Sequence, residues 1–132
     1  MKLPSEIIHD LKPLMPGHGE NKVSVASDGR KATVVVSFDA EGGGQRTATL
    51  TFDRVCFVST SSFPGPASIA PGTYEADFVS GAVIKAENSD LSASWVAHWA
   101  KSGLTRDCNH YVMFWTSENK VVHIVAASVQ LS

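Results

Sequence analysis

The sequence predicts a strand-rich α+β fold, in which an antiparallel sheet carries a short N-terminal helix and one longer helix packed on a sheet face. Three observations predict it. Residues 23–53 alternate between apolar and polar side chains, residues 89–101 change to helical spacing, and residues 109–131 return to alternation. A period of two is typical of strands with one buried face, and a period near 3.6 is typical of an amphipathic helix.

The composition is that of one globular domain, which we expect to span residues 1–132. Apolar residues make up 43% of the chain and charged residues 18%, too apolar and too weakly charged for intrinsic disorder. Eleven basic against thirteen acidic residues leave a formal net charge of −2, so neither nucleic acid nor a membrane is an expected partner. No apolar run approaches the roughly 18 to 20 residues that a membrane-spanning helix needs.

The compartment is predicted from the N-terminal segment and the cysteine content. The first fifteen residues contain two acidic residues and two prolines, which leaves no apolar core for a signal peptide. The chain has two cysteines, Cys56 and Cys108, whereas small secreted domains more often have four or more. We therefore expect a cytoplasmic protein with both thiols reduced.

Residues 4–11 predict the short first helix. Pro4 suits the first helical turn, and Glu6 is favourable near the positive N-terminal end of the helix dipole. Apolar residues at i, i+4 and i+7 give this segment one apolar stripe. Pro13 is expected to end the helix because proline cannot continue the backbone hydrogen bonds.

The following residues predict a three-stranded antiparallel meander. Asp28-Gly29 between two alternating runs is a strong hairpin signal, because a type I′ turn needs two residues with positive φ. With Ser27 paired to Arg30, the second strand has one apolar face, and a triple-glycine turn leads to a third strand over 45–53. The expected buried face consists of Ala32, Val34, Val36, Phe38, Ala48, Leu50 and Phe52, with Thr47, Thr49 and Thr51 facing outward.

Between the meander and the longer helix, short strands are expected around one surface loop. Residues 55–58 are apolar and predict a fourth strand, whereas residues 59–72 are rich in Ser, Pro and Gly, which is typical of a loop. Alternation over 74–78 and an apolar run over 82–86 predict two more strands. A loop of this length is a weak functional hint, because binding residues concentrate on loops.

The longer helix is predicted over residues 90–101, with Ser89 or Asp90 as its N-cap and a glycine just beyond its end. An apolar stripe at i, i+4 and i+8 includes Trp95 and Trp99. We expect the helix to pack this stripe on the sheet, with both tryptophans buried.

The chain closes with a predicted hairpin of two long strands, over 109–116 and 121–131, joined by a polar turn. A two-residue turn places His110 and His123 on one face but four residues apart along the strands. That separation is some 13 to 14 Å at roughly 3.4 Å per residue, too far for one metal ion. Neither an HExxH motif nor paired CxxC motifs occur, so no metal and no cofactor are expected.

The length of the last strand predicts self-association. Residues 121–131 would make a strand of about eleven residues, where five or six are usual. The segment has no proline or lysine to protect a free edge. Such a strand is central in its sheet, covered by another segment, or paired with a second chain. We expect a homodimer or another protein partner, with coverage by the first helix and first strand as the competing outcome.

The end of the longer helix and the start of the terminal hairpin are expected to bring reactive side chains together. Cys108 and His110 lie two apart on one strand face, and His98 lies near the end of the helix. A Cys–His pair can act as a thiol nucleophile, whereas the structural interpretation makes Cys108 a small buried hydrophobe. No oxyanion hole or orienting third group is identified, so no catalytic residue is assigned. The candidate ligand-binding residues are Trp95, His98, Trp99, Cys108 and His110.

Three functions remain open from the sequence. The leading hypothesis is a cytoplasmic, non-catalytic binding or accessory domain, because the chain has enough apolar residues for a core and no catalytic constellation. The first alternative is a small enzyme or ligand-binding domain that uses the cluster of His98, Cys108 and His110. The second is a bacterial partner protein of the immunity or antitoxin type, which an acidic groove would favour if its partner is a nuclease.

Overall fold

The computed structural model describes residues 5–15, 19–62, 81–87 and 89–132, and within them it contains two antiparallel sheets and one α-helix. A strand-rich α+β class is therefore confirmed. The strand expected over 74–78 and most of the expected loop before it lie outside the described residues. The elements are β1 (Ser5–Asp10), β2 (Glu20–Ser27), β3 (Lys31–Asp39), β4 (Gln45–Asp53), β5 (Phe57–Ser62), β6 (Ala82–Ala86), α1 (Asp90–Lys101), β7 (Asn109–Trp115), β8 (Lys120–Ala126) and β9 (Ser128–Leu131).

The two sheets pack face to face around one hydrophobic core. One sheet has the strand order β1-β6-β7-β8-β5 and the other has the order β2-β3-β4-β9. The rings of Phe52 on β4 and Tyr111 on β7 meet across the interface, with centroids 5.5 Å apart. Full burial of a large apolar side chain contributes about 1.5–3 kcal/mol. The core includes Val34, Val36, Leu50 and Phe52 from one sheet and Tyr111, Met113, Trp115, Val122 and Ile124 from the other.

The meander β2-β3-β4 confirms the predicted buried face, although its first turn differs from the prediction. Ser27 pairs with Ala32 and not with Arg30, so the register is shifted by two residues. Asp28 N donates to Lys31 O at 3.1 Å, Lys31 N donates to Asp28 Oδ1 at 2.8 Å, and Gly29 has a φ of 90°, a conformation that favours glycine. A shift of two residues keeps every side chain on its face. The apolar residues predicted to be buried on β3 and β4 are all buried.

The predicted N-terminal helix is wrong. Residues 5–10 form strand β1, which pairs with β6 from Ser5 opposite Ala86 to Asp10 opposite Ala82. Only a single 3₁₀ turn follows, at Lys12–Leu14. The pairing with β6 satisfies the backbone of a segment that contains adjacent β-branched residues, and such residues fit a pleated strand well. Pairing in the folded chain therefore overrides the weak capping signals.

The predicted last strand is two strands in different sheets. β8 lies between β7 and β5 in the five-stranded sheet, and after Ala127 the chain crosses over so that β9 pairs with β4. The fourth strand, expected over 55–58, is β5 and begins two residues later; it extends to Ser62, so the assignment of residues 59–62 to the loop is wrong. Because β8 has a neighbour on each side, the structure removes the premise on which the homodimer was expected. The oligomeric state itself stays a prediction.

Helix α1 begins and ends where the sequence predicts. Ser89 is the N-cap, and its side chain accepts a hydrogen bond from Ser92 N at 3.2 Å. The expectation that α1 buries Trp95 and Trp99 against the sheet is wrong, because both are half-buried and no residue of α1 is fully buried. The two sheets already cover each other's core faces, so α1 remains peripheral. In the described part of the chain, no helix has the length and apolar character needed to span a membrane.

Candidate functional site

The two cysteines meet at one end of the five-stranded sheet. Cys56 precedes β5, Cys108 precedes β7, and their sulfur atoms are 4.0 Å apart as free thiols. Trp99 Nε1 donates to Cys56 Sγ at 3.3 Å. Burial, with a smaller contribution from Cys56, raises the pKa of the Cys108 thiol to about 11. Cys108 is therefore protonated at neutral pH, whereas a nucleophilic cysteine needs a lowered pKa.

The predicted cluster of five residues is only partly assembled. Trp99 contacts the cysteine pair through the hydrogen bond from its Nε1 to Cys56 Sγ. His98 is exposed on α1, with its ring edge-on to the rings of Trp95 and Trp99 at centroid distances of 5.5 Å. His110 belongs to a separate hydrogen-bonded chain within the outer face of the five-stranded sheet. The structure thus places Trp99 and Cys108 at one site, and His110 at another.

A chain of three buried side chains runs from the helix N-cap into the sheet. Ser89 Oγ lies 2.6 Å from His110 Nδ1, and His110 Nε2 lies 2.9 Å from His123 Nδ1. Their exposed fractions are 6%, 1% and 2%. Burial lowers the pKa of His110 to about 4, and burial together with the neighbouring His110 lowers the pKa of His123 to about 3. Both imidazoles are therefore neutral at physiological pH.

Neutral imidazoles give this chain two possible polarities. Where Ser89 donates to His110 Nδ1, His110 Nε2 donates to His123 Nδ1, and His123 Nε2 carries a proton. In the opposite polarity, His123 Nε2 is an acceptor. Among the described residues, this buried nitrogen has no hydrogen-bond partner.

The predicted separation of the two histidines is wrong because the turn of the hairpin is longer than expected. Trp115 pairs with Lys120, so four residues form the turn. His123 consequently lies opposite Val112, one diagonal position from His110. The sequence prediction placed both histidines on the correct face of the sheet, but its error in register put them too far apart for contact.

Three arginines line one cleft beside the cysteine pair. The cleft has a volume of about 710 Å³, and the charged side chains that line it are Arg30, Arg54, Arg106 and Asp107. The Arg106 guanidinium stacks over the Trp99 ring at 4.3 Å from its centroid, a cation–π contact that limits the motion of this side chain. The chain has four arginines in total, so three of the four surround this space.

The fold brings these arginines together from three separate connections. Arg30 belongs to the β2-β3 turn, Arg54 to the β4-β5 connection and Arg106 to the segment between α1 and β7. Val55 N donates to Arg30 O at 2.9 Å, which ties the first two connections. Arg54 has φ of 53°, a left-handed conformation that is uncommon outside glycine. No local sequence signal points to this cleft, because the three arginines belong to three different segments of the chain.

No other candidate centre emerges from the described residues. Within them, no group of three or more His, Cys, Asp and Glu side chains is placed to hold a metal ion. No family model, no curated protein and no solved structure matches this chain. The chemistry of the arginine cleft, the cysteine pair and the histidine chain is therefore what supports a function.

Proposed function

We propose that this protein is a non-catalytic binding module that takes the phosphate group of a small ligand in the cleft lined by Arg30, Arg54 and Arg106. The observation that carries the proposal is the gathering of three of the four arginines around one cleft. Guanidinium groups match the planar, bidentate geometry of phosphate oxygens. With Asp107 as the one acidic side chain among the described lining residues, the cleft has an excess of two positive charges.

This local charge is opposite in sign to that of the whole chain. The formal net charge is −2, so the positive charge in the cleft is segregated from a mildly acidic molecule. A concave site lined by one sign of charge focuses the field and raises the local concentration of counter-charged ligands. The volume of about 710 Å³ is within the range of small-molecule sites.

Trp99 supports the proposal by fixing one of the three cations. Its stacking on Arg106 restricts the guanidinium before a ligand arrives. A side chain that is already ordered loses less conformational entropy when the ligand binds. Arg106 is therefore ordered before the ligand binds, whereas the other two arginines of the site lie on separate connections.

The alternative functions receive less support. A thiol enzyme needs a thiolate beside a histidine, but the pKa of Cys108 is raised to about 11 and His110 is bonded to Ser89 and His123. A partner of a nuclease is expected to present an acidic groove, whereas this cleft is basic. The basic cleft favours the binding module over both alternatives.

Two further parts of the proposal concern location and assembly. A cytoplasmic location is supported by the cysteine content, because small secreted domains more often have four or more cysteines than the two of this chain. Self-association is proposed independently of the cleft. Sedimentation of the chain at micromolar concentration measures it, and a single-chain mass throughout would rule it out.

The test is calorimetric titration of the full chain with inorganic pyrophosphate at about 0.1 M salt. We expect saturable binding, and we expect Arg30→Gln, Arg54→Gln and Arg106→Gln each to weaken it about tenfold or more, since a hydrogen bond to a charged group contributes about 1.5–3 kcal/mol. The matched control is Arg46→Gln, because Arg46 is exposed near the β3-β4 turn, at the opposite end of the strands.

The control is expected to bind within about twofold of the wild type, because screening leaves little interaction beyond a Debye length of about 10 Å at 0.1 M salt. Absence of saturable binding at millimolar pyrophosphate would overturn the proposal. Equal losses in the Arg46 variant and the cleft variants would overturn it too, because they would indicate general charge attraction and no site.

A further inference from the structure

The cysteine pair is not used by the proposed binding function. Cys56 and Cys108 are the two cysteines of the chain, 52 residues apart, and the fold places their sulfur atoms at 4.0 Å. Both belong to irregular segments, one between β4 and β5 and the other directly before β7. A disulfide bond of about 2.05 Å requires the sulfurs to approach by about 2 Å. Side-chain rotation and small shifts of irregular backbone can supply such a movement.

The two thiols have different environments. Cys56 is partly exposed, and its sulfur accepts a hydrogen bond from Trp99 Nε1 at 3.3 Å. Cys108 is 5% exposed, and burial keeps its thiol protonated. One cysteine thus has a partly exposed sulfur that accepts a hydrogen bond, and the other has a buried thiol. This is the arrangement of a reactive and a resolving cysteine.

We propose that Cys56 and Cys108 form a peroxide-responsive modification site, in which Cys56 is oxidised first and Cys108 then closes an intramolecular disulfide. In the first step, the Cys56 thiolate attacks one oxygen of hydrogen peroxide. A sulfur–oxygen bond forms, the oxygen–oxygen bond breaks, and the departing hydroxide takes up a proton to become water. The product is the sulfenic acid of Cys56.

In the second step, the Cys108 thiol condenses with the sulfenic acid of Cys56, and Cys108 Sγ attacks Cys56 Sγ as the thiol proton passes to the departing hydroxyl. The sulfur–sulfur bond forms, the sulfur–oxygen bond breaks, and the hydroxide leaves as water with the proton that Cys108 carried. Two thiols are together oxidised by two electrons, and one peroxide is reduced to two molecules of water. The order of the steps follows from the difference in exposure between Cys56 and Cys108.

The experiment uses the fully reduced full-length chain treated with dilute hydrogen peroxide. We expect the thiol count to fall from two to zero, with the loss of two hydrogen atoms from the intact mass and recovery of both thiols on treatment with dithiothreitol. Tryptic digestion is expected to yield one linked pair of peptides, which begin at Val55 and Asp107, because each cysteine lies two residues after an arginine. Linkage between chains in place of this pair would overturn the proposal.

Two near-isosteric variants separate the steps. In Cys108→Ser, the sulfenic acid of Cys56 is expected to accumulate and to be trapped by dimedone. In Cys56→Ser, Cys108 is expected to react at least about tenfold more slowly, because it is buried and protonated. Equal rates in the two variants, or no trapped adduct on Cys56, would overturn the proposal.

Labelling with a thiol reagent tests whether the fold causes the difference in reactivity between the two cysteines, and a variant of Trp99 tests the hydrogen bond to Cys56. Labelling of the wild-type chain with N-ethylmaleimide, read out by peptide mass, is expected to modify Cys56 first in the native state. In denaturant this preference is expected to vanish, and its persistence would show that local sequence causes it. Trp99→Phe keeps an aromatic ring and removes the indole N–H that holds Cys56 Sγ in place, so we expect it to slow the oxidation of Cys56 severalfold. An unchanged rate would remove Trp99 as a positioning residue.

Discussion

His110 Nε2 lies 2.9 Å from His123 Nδ1, although the two residues are not opposite each other on β7 and β8. Val125 is the cross-strand partner of His110, and Val112 is the partner of His123. The contact is diagonal, on a face that carries the buried apolar residue Phe114 and also Ser59, the β5 partner of His123. Two neutral imidazoles therefore share one hydrogen bond in buried surroundings that disfavour charge.

The first prediction is that acid destabilises the protein through these histidines. The pKa of His110 in the folded state is about 4 and that of His123 about 3, against an ordinary value of 6.5. Below pH 6.5 the unfolded chain binds more protons than the folded chain, so the free energy of unfolding falls as the pH falls. From about pH 7.5 to about pH 5 we expect a loss of about 2 kcal/mol for each histidine.

Urea denaturation at several pH values measures this loss. The matched control is His98→Gln, because His98 is exposed on α1 and its replacement is expected to leave the loss unchanged. The range ends near pH 5 so that ordinary carboxyl groups, with pKa values of about 4, contribute little. A free energy of unfolding that stays constant over this range would contradict the burial of two neutral imidazoles.

The second prediction concerns Ser89, which serves two partners at once. Its side chain accepts a hydrogen bond from Ser92 N and bonds to His110 Nδ1 at 2.6 Å. Ser89→Ala removes the helix cap and leaves a buried ring nitrogen unpaired, so we expect a loss of about 1–3 kcal/mol. Ser94→Ala is the control, because Ser94 is exposed within α1 and alanine favours helix. Equal stability of the two variants, by thermal or urea unfolding, would contradict the role of Ser89.

Side-chain faces were predictable from the sequence, whereas registers were not. In both the β2-β3 hairpin and the β7-β8 hairpin, the sequence predicts a two-residue turn within the polar segment. The observed register differs by two residues from the register that such a turn would give. An even shift preserves the period of two, so Val34 and Leu50 are buried as predicted. A contact such as that between His110 and His123 depends on the register itself and was therefore missed.

The arginine cleft could not be predicted from the sequence for a different reason. Arg30, Arg54 and Arg106 come from three connections that meet only after two sheets have packed together. Periodicity describes single elements and contains no information on which connections converge. The N-terminal segment failed in the same way, because its partner β6 lies more than seventy residues further along the chain. Local capping signals favoured a helix there, and non-local pairing decided the outcome.

The third prediction compares tryptophans in the core and on the helix. Trp115 is 0% exposed between the two sheets, whereas Trp95 is half-buried on α1. Trp115→Ala is expected to lower the free energy of unfolding by about 3–5 kcal/mol, as for other buried aromatic truncations. Trp95→Ala is expected to lower it by less than half as much, since less apolar surface returns to water. Similar losses by urea denaturation would show that α1 is a core element.

The last prediction uses the histidine chain as a double-mutant cycle. His110→Leu removes the histidine partner of both Ser89 Oγ, which keeps its bond from Ser92 N, and His123 Nδ1. His123→Leu removes a partner from His110 Nε2 alone. A buried polar atom that loses its partner costs about 1–3 kcal/mol, so His110→Leu is expected to be the more destabilising single change.

The double variant removes both imidazoles from an apolar face and leaves only one end of the chain unpaired. The double variant is therefore expected to lose less free energy of unfolding than the sum of the losses in the two single variants. The difference is a coupling energy of about 0.5–3 kcal/mol. Urea denaturation of all four proteins at neutral pH measures that energy. Strict additivity would mean that the hydrogen bond between His110 and His123 adds nothing to stability, and an equal cost of the two single changes would mean that Ser89 does not depend on His110.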